Sequence, residues 1–421
     1  MTLNSFLPIQ SDSDFSIHNL PYGVFKPRAG GAPRVGVAIG AYVLDLYVLH
    51  DAGFFNQTNL ASQNVFKESA LNAFMKLGRD AWRETRNILQ SLLRADSAMR
   101  ENEKLRDAAL IPQSQIEMLL PVEIGDYTDF YSSEHHARNV GTMLRGAEHA
   151  LMPNWKHLPV AYHGRASSIV VSGTNFFRPR GQIKPGDASE PFYAATRSLD
   201  FELEMGFLIG AENHLGEPIP IERADEFLFG MVLVNDWSAR DIQAWEYQPL
   251  GPFLAKNFCT SISPWVVTME ALEPFKKNLP AQEPKPLAYL ARADDWTYDI
   301  ELQVSLQSEK MDAPHIITRS NFQNLYWSMN QQLAHHTSNG CNARVGDLLA
   351  SGTISGAEKI SRGCMLELTW RGTEPLLLPN GETRRFLEDG DVVTMRAWCE
   401  KNERRVGFGE VTGEILPARE P

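Results

Sequence analysis

The sequence predicts a mainly β protein with some α structure, arranged in two domains. Three observations carry this. Residues 22–46 are short β-rich pieces broken by glycine and proline. Residues 66–110 carry a helical period. From residue 122 onward strands and loops dominate and helices are few. A chain of 421 residues, 43% of them apolar, is long enough for two cores.

Tyr22-Gly23-Val24-Phe25, residues 34–39 and residues 42–46 read as strands, with the Gly30-Gly31-Ala32-Pro33 loop before the second. They predict a small barrel or sheet. Leu71, Phe74, Met75, Trp82, Leu89 and Leu93 then follow the three-to-four spacing of one helix face, a packing face with no function. The Pro112 to Pro121 region marks the crossing, giving domains 1–121 and 122–421. In the second, Ser320-Asn321-Phe322-Gln323 reads as a capping-box start of a helix with Leu325, Met329 and Leu333 on its buried face. It ends at Asn339-Gly340, and His335 and His336 in its last turn suit the helix dipole better than catalysis. Residues 365–370 alternate like a strand, with Glu367 between two leucines.

The net charge of −12 argues against a nucleic-acid partner, and an anionic ligand would need local cations. Residues 1–14 show no signal-peptide pattern, and apolar runs such as 227–234 are far short of a membrane span. The four cysteines are widely spaced without CxxC. They point to a reducing cytoplasm and away from a zinc site or disulfide framework. Nucleophile-elbow, HExxH, Walker and dinucleotide motifs are absent, and Gly407, Gly409 and Gly413 read as turn and strand glycines. Any chemistry comes from residues dispersed along the chain.

The densest candidate is residues 199–207, where Asp200, Glu202 and Glu204 alternate with apolar residues. Alternation places the three acids on one strand face. Solvation of that face, or a hard cation on it, would make the repulsion tolerable. A Pro/Gly-rich loop, 181–191, precedes it. Four further blocks could carry chemistry. Residues 125–136 combine Asp129, Tyr131, His135 and His136, and a histidine there could act as general base. Arg145 in an apolar setting, and Tyr162-His163-Gly164-Arg165, suit carboxylate recognition, and Arg145 and Arg165 equally suit structural ion pairs. A buried strand, 230–234, delivers Asp236, and a helical turn after Trp237 places Arg240 and Gln243 on one face. Lys256 follows among apolar neighbours, then Thr260. Gly352-Thr353-Ile354-Ser355-Gly356 and the Glu367 segment close the series; Glu367 is a strand's solvent face or a carboxylate orienting a histidine.

In this order the blocks resemble the fumarylacetoacetate hydrolase family, the fumarylacetoacetases of tyrosine and phenylalanine breakdown. The resemblance rests on DYTDFYSS (126–133), NWKHLPVAYHGRASSIVVSGT (154–174), LDFELEMGF (199–207), NDWSARDIQAWEYQPLGPF (235–253) and GDLLASGTISG (346–356), and spans nearly the whole chain. It implies an N-terminal SH3-like barrel with helices, a C-terminal β-roll domain, a homodimer, and hydrolysis of a carbon–carbon bond in a small diketo acid. It implies a Ca²⁺ and/or Mg²⁺ site of Asp129, Glu202, Glu204 and Asp236, with Lys256 and Thr260 beside it at a Mg²⁺ position. It makes His136 the base, Glu367 its orienting carboxylate, and Arg240, Gln243 and Lys256 the groups that stabilise negative charge. Tyr131, Arg145, Tyr162, Arg240, Gln243 and Thr353 would bind substrate. Asp200 matches no ligand position, and Cys259 stands where a smaller residue is expected. The wider superfamily also holds acylpyruvate hydrolases, oxaloacetate decarboxylases and hydratases, and a binding protein without turnover is the reading from another class.

Overall fold

The computed structural model describes residues 3–186 and 188–420. Residues 1 and 2 of the leader reading, and residue 187 of the Pro/Gly-rich loop, lie outside them.

The N-terminal pieces form strands β1 (Tyr22–Pro27), β2 (Arg34–Ile39) and β3 (Tyr42–Asp45), followed by helix α1 (Arg79–Leu93) and strands β4 (Leu110–Pro112) and β5 (Ile116–Leu119). One antiparallel sheet joins them in the order β4-β3-β2-β1-β5. The continuous helix face expected over 66–110 is instead split. Phe74 and Met75 belong to a separate short helix, Asn72–Met75, capped at Lys76, and Gly78, where φ is 81°, starts α1 as its N-cap. On α1 the buried stripe is Trp82, Thr85, Arg86, Leu89 and Leu93. Arg86 is tolerated because its guanidinium donates to the carbonyls of Asn19 and His18.

The following strands build a larger, mostly antiparallel sheet. They are β6 (Tyr127–Phe130), then after helix α2 (Glu134–Arg145) β7 (Ala161–Gly164) and β8 (Ile169–Val171), then β9 (Leu203–Ile209) and β10 (Leu228–Asp236). Helix α3 (Arg240–Glu246) and strand β11 (Thr260–Ile262) follow. Strands β12 (Glu301–Gln307) and β13 (His315–Asn321), helix α4 (Met329–Thr337), strand β14 (Leu348–Ala350), helix α5 (Met365–Leu368), and strands β15 (Val392–Lys401) and β16 (Arg404–Leu416) complete the chain. The sheet order is β7-β6-β14-β9-β10-β11-β8. A second sheet runs β13-β12-β15-β16 and ends on Phe176–Phe177.

The central strands β9 and β10 are buried on both faces. Leu203, Met205, Phe207, Met231 and Leu233 pack against Leu302, Val304, Val393 and Met395 of the second sheet. Leu208, Val232 and Val234 pack on the other side with Val24, Val37, Phe74 and Trp82 of the N-terminal region. This double burial excludes a solvated acidic face at 199–207. The segment is also not one strand. Leu199–Asp200 pairs with Ser238–Ala239, whereas Leu203 onward pairs with β10. Between them Glu202 N–H donates to the Asn235 side chain.

Two further elements depart from expectation. The helix expected from Ser320 begins at Ser328, whose capping box closes with Gln331. Residues 315–321 form β13 on the edge of the second sheet, so the earlier Ser-x-x-Gln match is used by a strand. His335 and His336 do end the helix. Residues 365–368 are a helical turn, not a strand.

Candidate active site

Four carboxylates meet at one end of the central sheet. Asp129 is the penultimate residue of β6, Glu202 sits in the gap before β9, Glu204 lies on β9, and Asp236 ends β10. One oxygen from each lies within 4.8 Å of the others, and all four residues are buried. Their convergence follows from register: Asp129 stands beside Ala350, which faces Gly206, while Asp236 faces Thr260.

Two cations touch the cluster. Lys256 Nζ bonds Glu202 and reaches Asp236 at 2.8 Å; Arg240 Nη1 lies 2.8 Å from Glu202 Oε1. Thr260 Oγ1 and Tyr162 Oη each donate to Asp236 at 2.7 Å. Burial alone would discharge the lysine, but Asp236, Glu202 and Asp129 hold its pKa above the ordinary value. Burial would likewise raise Glu202, yet Lys256 and Arg240 keep it ionised and low. Asp129 and Glu204 are different. Burial and the neighbouring carboxylates push both well up. Asp129 Oδ1 and Glu204 Oε1 are buried without any hydrogen-bond partner. Of the two cations, Arg240 is shared with Asp200, and neither forms an ion pair with Asp129 or Glu204. Orphaned oxygens in an all-oxygen set fit a hard divalent cation.

Beside the acids lies a cavity of about 970 Å³, the size of a small-molecule site. Tyr131, His136, Arg145, Tyr162, Arg240, Gln243, Lys256 and Thr353 line it, together with Asp129 and Glu202. Glu204, Asp236, Thr260 and Glu367 stand behind these lining residues. Arg145 is at the exposed end of α2 and donates to the carbonyls of His149 and Ala150. The hairpin preceding residue 199 contributes Ile183 and Lys184 to the wall.

His136 occupies the first turn of α2. Ser133 caps that helix by accepting the His136 N–H at 3.2 Å, which fixes the histidine backbone. His136 Nδ1 is 2.6 Å from Glu367 Oε2. Glu367 also accepts from Asn139 at 2.7 Å, Ser355 at 2.7 Å and the Cys364 thiol at 3.2 Å. Burial would raise the Glu367 pKa; His136 and these donors outweigh it and hold it down at about 2. The carboxylate therefore fixes Nδ1 as the protonated nitrogen and leaves Nε2 with a lone pair. His136, Cys364 and Glu367 lie close enough to hold a metal ion. Burial pushes the Cys364 thiol well up, however, and Glu367 is already shared among four donors. The trio reads as a hydrogen-bonded histidine–carboxylate pair with a thiol donor, not as a metal site.

Arg240 donates to Asp200 at 2.8 Å and to Gln243 at 3.2 Å, as the i, i+3 spacing predicts. Its Nη2 is buried and unpaired, and so is the Thr353 hydroxyl. Cys259 is buried, with its thiol pushed up to about 12, and does not line the cavity. His135 is only half-buried beside the buried His136. Asn139, Ser355 and Cys364 were missed as parts of the site. For Asn139 a signal existed: it lies three residues after His136, on the same helix face.

Two family models match the chain: fumarylacetoacetase N-terminal over residues 18–121, and fumarylacetoacetate hydrolase C-terminal over 126–415. The fumarylacetoacetase of Bos taurus is 58% identical, covering 98% of this chain and 99% of its own. This chain belongs to the fumarylacetoacetate hydrolase family. The Homo sapiens fumarylacetoacetase is 56% identical over 99% of this chain and 100% of its own. A solved fumarylacetoacetate hydrolase from Exiguobacterium antarcticum, 16% identical, shares the fold at a TM-score of 0.53 over 95% of this chain and 100% of its own.

Proposed function

We propose that this chain is a fumarylacetoacetase, hydrolysing the carbon–carbon bond of 4-fumarylacetoacetate to fumarate and acetoacetate in tyrosine and phenylalanine catabolism. Identity above one half over the full length of curated fumarylacetoacetases supports the substrate. The observation that carries the chemistry is the Glu367–His136 pair opening on a cavity floored by buried acids.

Asp129, Glu202, Glu204 and Asp236 would hold Ca²⁺ or Mg²⁺, with Lys256 and Thr260 securing Asp236 beside it. A bound divalent cation supplies Lewis-acid polarisation of the diketone and charge for the departing enolate. His136 Nε2 takes a proton from water as its oxygen adds to the carbonyl next to the alkene. Glu367 stabilises the imidazolium. The bond from that carbonyl carbon to the central methylene then breaks, and its electron pair leaves as the enolate of acetoacetate. The imidazolium returns the proton to the former methylene carbon, which becomes the methyl of acetoacetate, while the carbonyl carbon becomes a carboxyl of fumarate. Arg240 Nη2, Gln243 and Lys256 donate to the developing negative oxygen. Tyr131, Tyr162, Arg145 and Thr353 hold the substrate, with arginine on a terminal carboxylate.

We place the domains at 1–121 and 122–421 and the enzyme in the cytoplasm as a homodimer. Among the described residues no helix is long and apolar enough to cross a membrane. Leu250 and Phe253, exposed on the loop after α3, support a self-association surface. A substrate panel tests the function: fumarylacetoacetate turns over at least about 100-fold faster than simple acylpyruvates and oxaloacetate, a difference of about 3 kcal/mol in transition-state binding. An acylpyruvate preferred over fumarylacetoacetate overturns the assignment. Light scattering that returns the mass of a single chain overturns the dimer.

A further inference from the structure

We propose that Asp200 is a positioning residue for the reaction, a single buried carboxylate that holds both Arg240 and the helical turn carrying Glu367. This rests on the reading of His136 as base and Arg240 as a charge-stabilising donor.

Asp200 is fully buried and takes no part in the four-acid cluster. The break in the strand at 201–202 turns it the other way. Its Oδ1 accepts the Met365 N–H at 2.6 Å. Its Oδ2 accepts the Leu366 N–H at 3.0 Å and Arg240 Nε at 2.8 Å. Met365 and Leu366 open α5, whose own cap residue, Cys364, provides no side-chain cap bond. A carboxylate distant in sequence thus does the capping. The next residue on the same turn is Glu367, at 2.6 Å from His136 Nδ1. On the other side, Asp200 pairs in register with Ser238, and Arg240 N–H donates to Ser198. The guanidinium and the orienting carboxylate are therefore referred to one anchor.

All three neighbours of Asp200 are donors, so only a carboxylate serves them all. Asparagine offers one acceptor and points an NH₂ at a donor. Whichever way it is turned, either the helix turn or Arg240 loses its partner. The geometry of base and donor then loosens while all four carboxylates of the cluster are retained.

The test compares Asp200→Asn and Asp200→Ser in the wild-type protein and in a Glu367→Gln, Arg240→Gln background. Folding is read by melting temperature, cation affinity by Ca²⁺ titration, and turnover with fumarylacetoacetate. The single variants are expected to stay folded and keep Ca²⁺ affinity within about threefold, while kcat falls roughly 10–100-fold, as for other groups that orient a reacting residue. In the double background the same change costs less than about threefold, because residues acting as a unit are not additive. A merely structural role would subtract the same factor in both backgrounds. Wild-type kcat in folded variants, losses that multiply in full, or failure of both variants to fold each overturns the inference. Wild-type turnover in Glu367→Gln and Arg240→Gln alone would instead overturn the base and donor reading itself.

Discussion

His136 reaches the cavity with one ring nitrogen committed to Glu367 and the other available, the asymmetry that the proposed base requires. His136→Ala is expected to lower kcat by at least about 100-fold in protein that still folds, with a melting temperature lowered because the buried Glu367 carboxylate loses its partner; near-normal kinetics contradict the role. Glu367 makes a pH prediction. Its folded pKa of about 2 lies below the ordinary value of 4.5. It therefore contributes stability that is fully present above pH 4.5 and is lost as pH falls toward 2, on the order of 3 kcal/mol. Glu367→Gln should flatten acid unfolding between about pH 5 and 2; an unchanged slope would contradict the shift. The family resemblance named His136 and Glu367 from the sequence, and the structure brings the two side chains together at 2.6 Å. The place of Asp200 was not legible, because two-residue alternation has no term for a strand that breaks between 200 and 203.

Short elements deliver these groups, and some are fixed by contacts the chain cannot advertise locally. Gly352 illustrates this. It follows β14, has φ of 75°, and donates its N–H to Glu204 at 3.2 Å. A Cβ there would sit 2.1 Å from the Phe130 carbonyl oxygen. Gly352→Ala should cost about 2–3 kcal/mol or more, well beyond the usual penalty of alanine at positive φ, and calorimetry would read it; an unshifted melting temperature contradicts the close packing. The strands β1, β2 and β10 were legible from their apolar runs. The helix start was not, because Ser320 and Ser328 both precede a glutamine at the right spacing, and only pairing of 315–321 with β12 selects the second. Residues 365–370 are too short for a period to decide, and the Asp200 carboxylate makes them a turn.

Across the whole molecule, the N-terminal sheet and the catalytic sheet share one apolar core that runs from Val24 through Phe74 to Val234 and Ala350. The acids sit at the end of the sheet that this core supports, so the long N-terminal region steadies the strands that carry them. Cation binding and global stability are thereby linked: Ca²⁺ at 100 times its dissociation constant should stabilise the fold by about 2.7 kcal/mol, read as a rise in melting temperature that Asp129→Asn removes. The most direct test of the account is turnover of fumarylacetoacetate, followed by its absorbance, after chelation and dialysis of the protein. The account predicts a silent protein whose activity returns with Ca²⁺ or Mg²⁺. Full turnover in protein verified to be free of metal would contradict it.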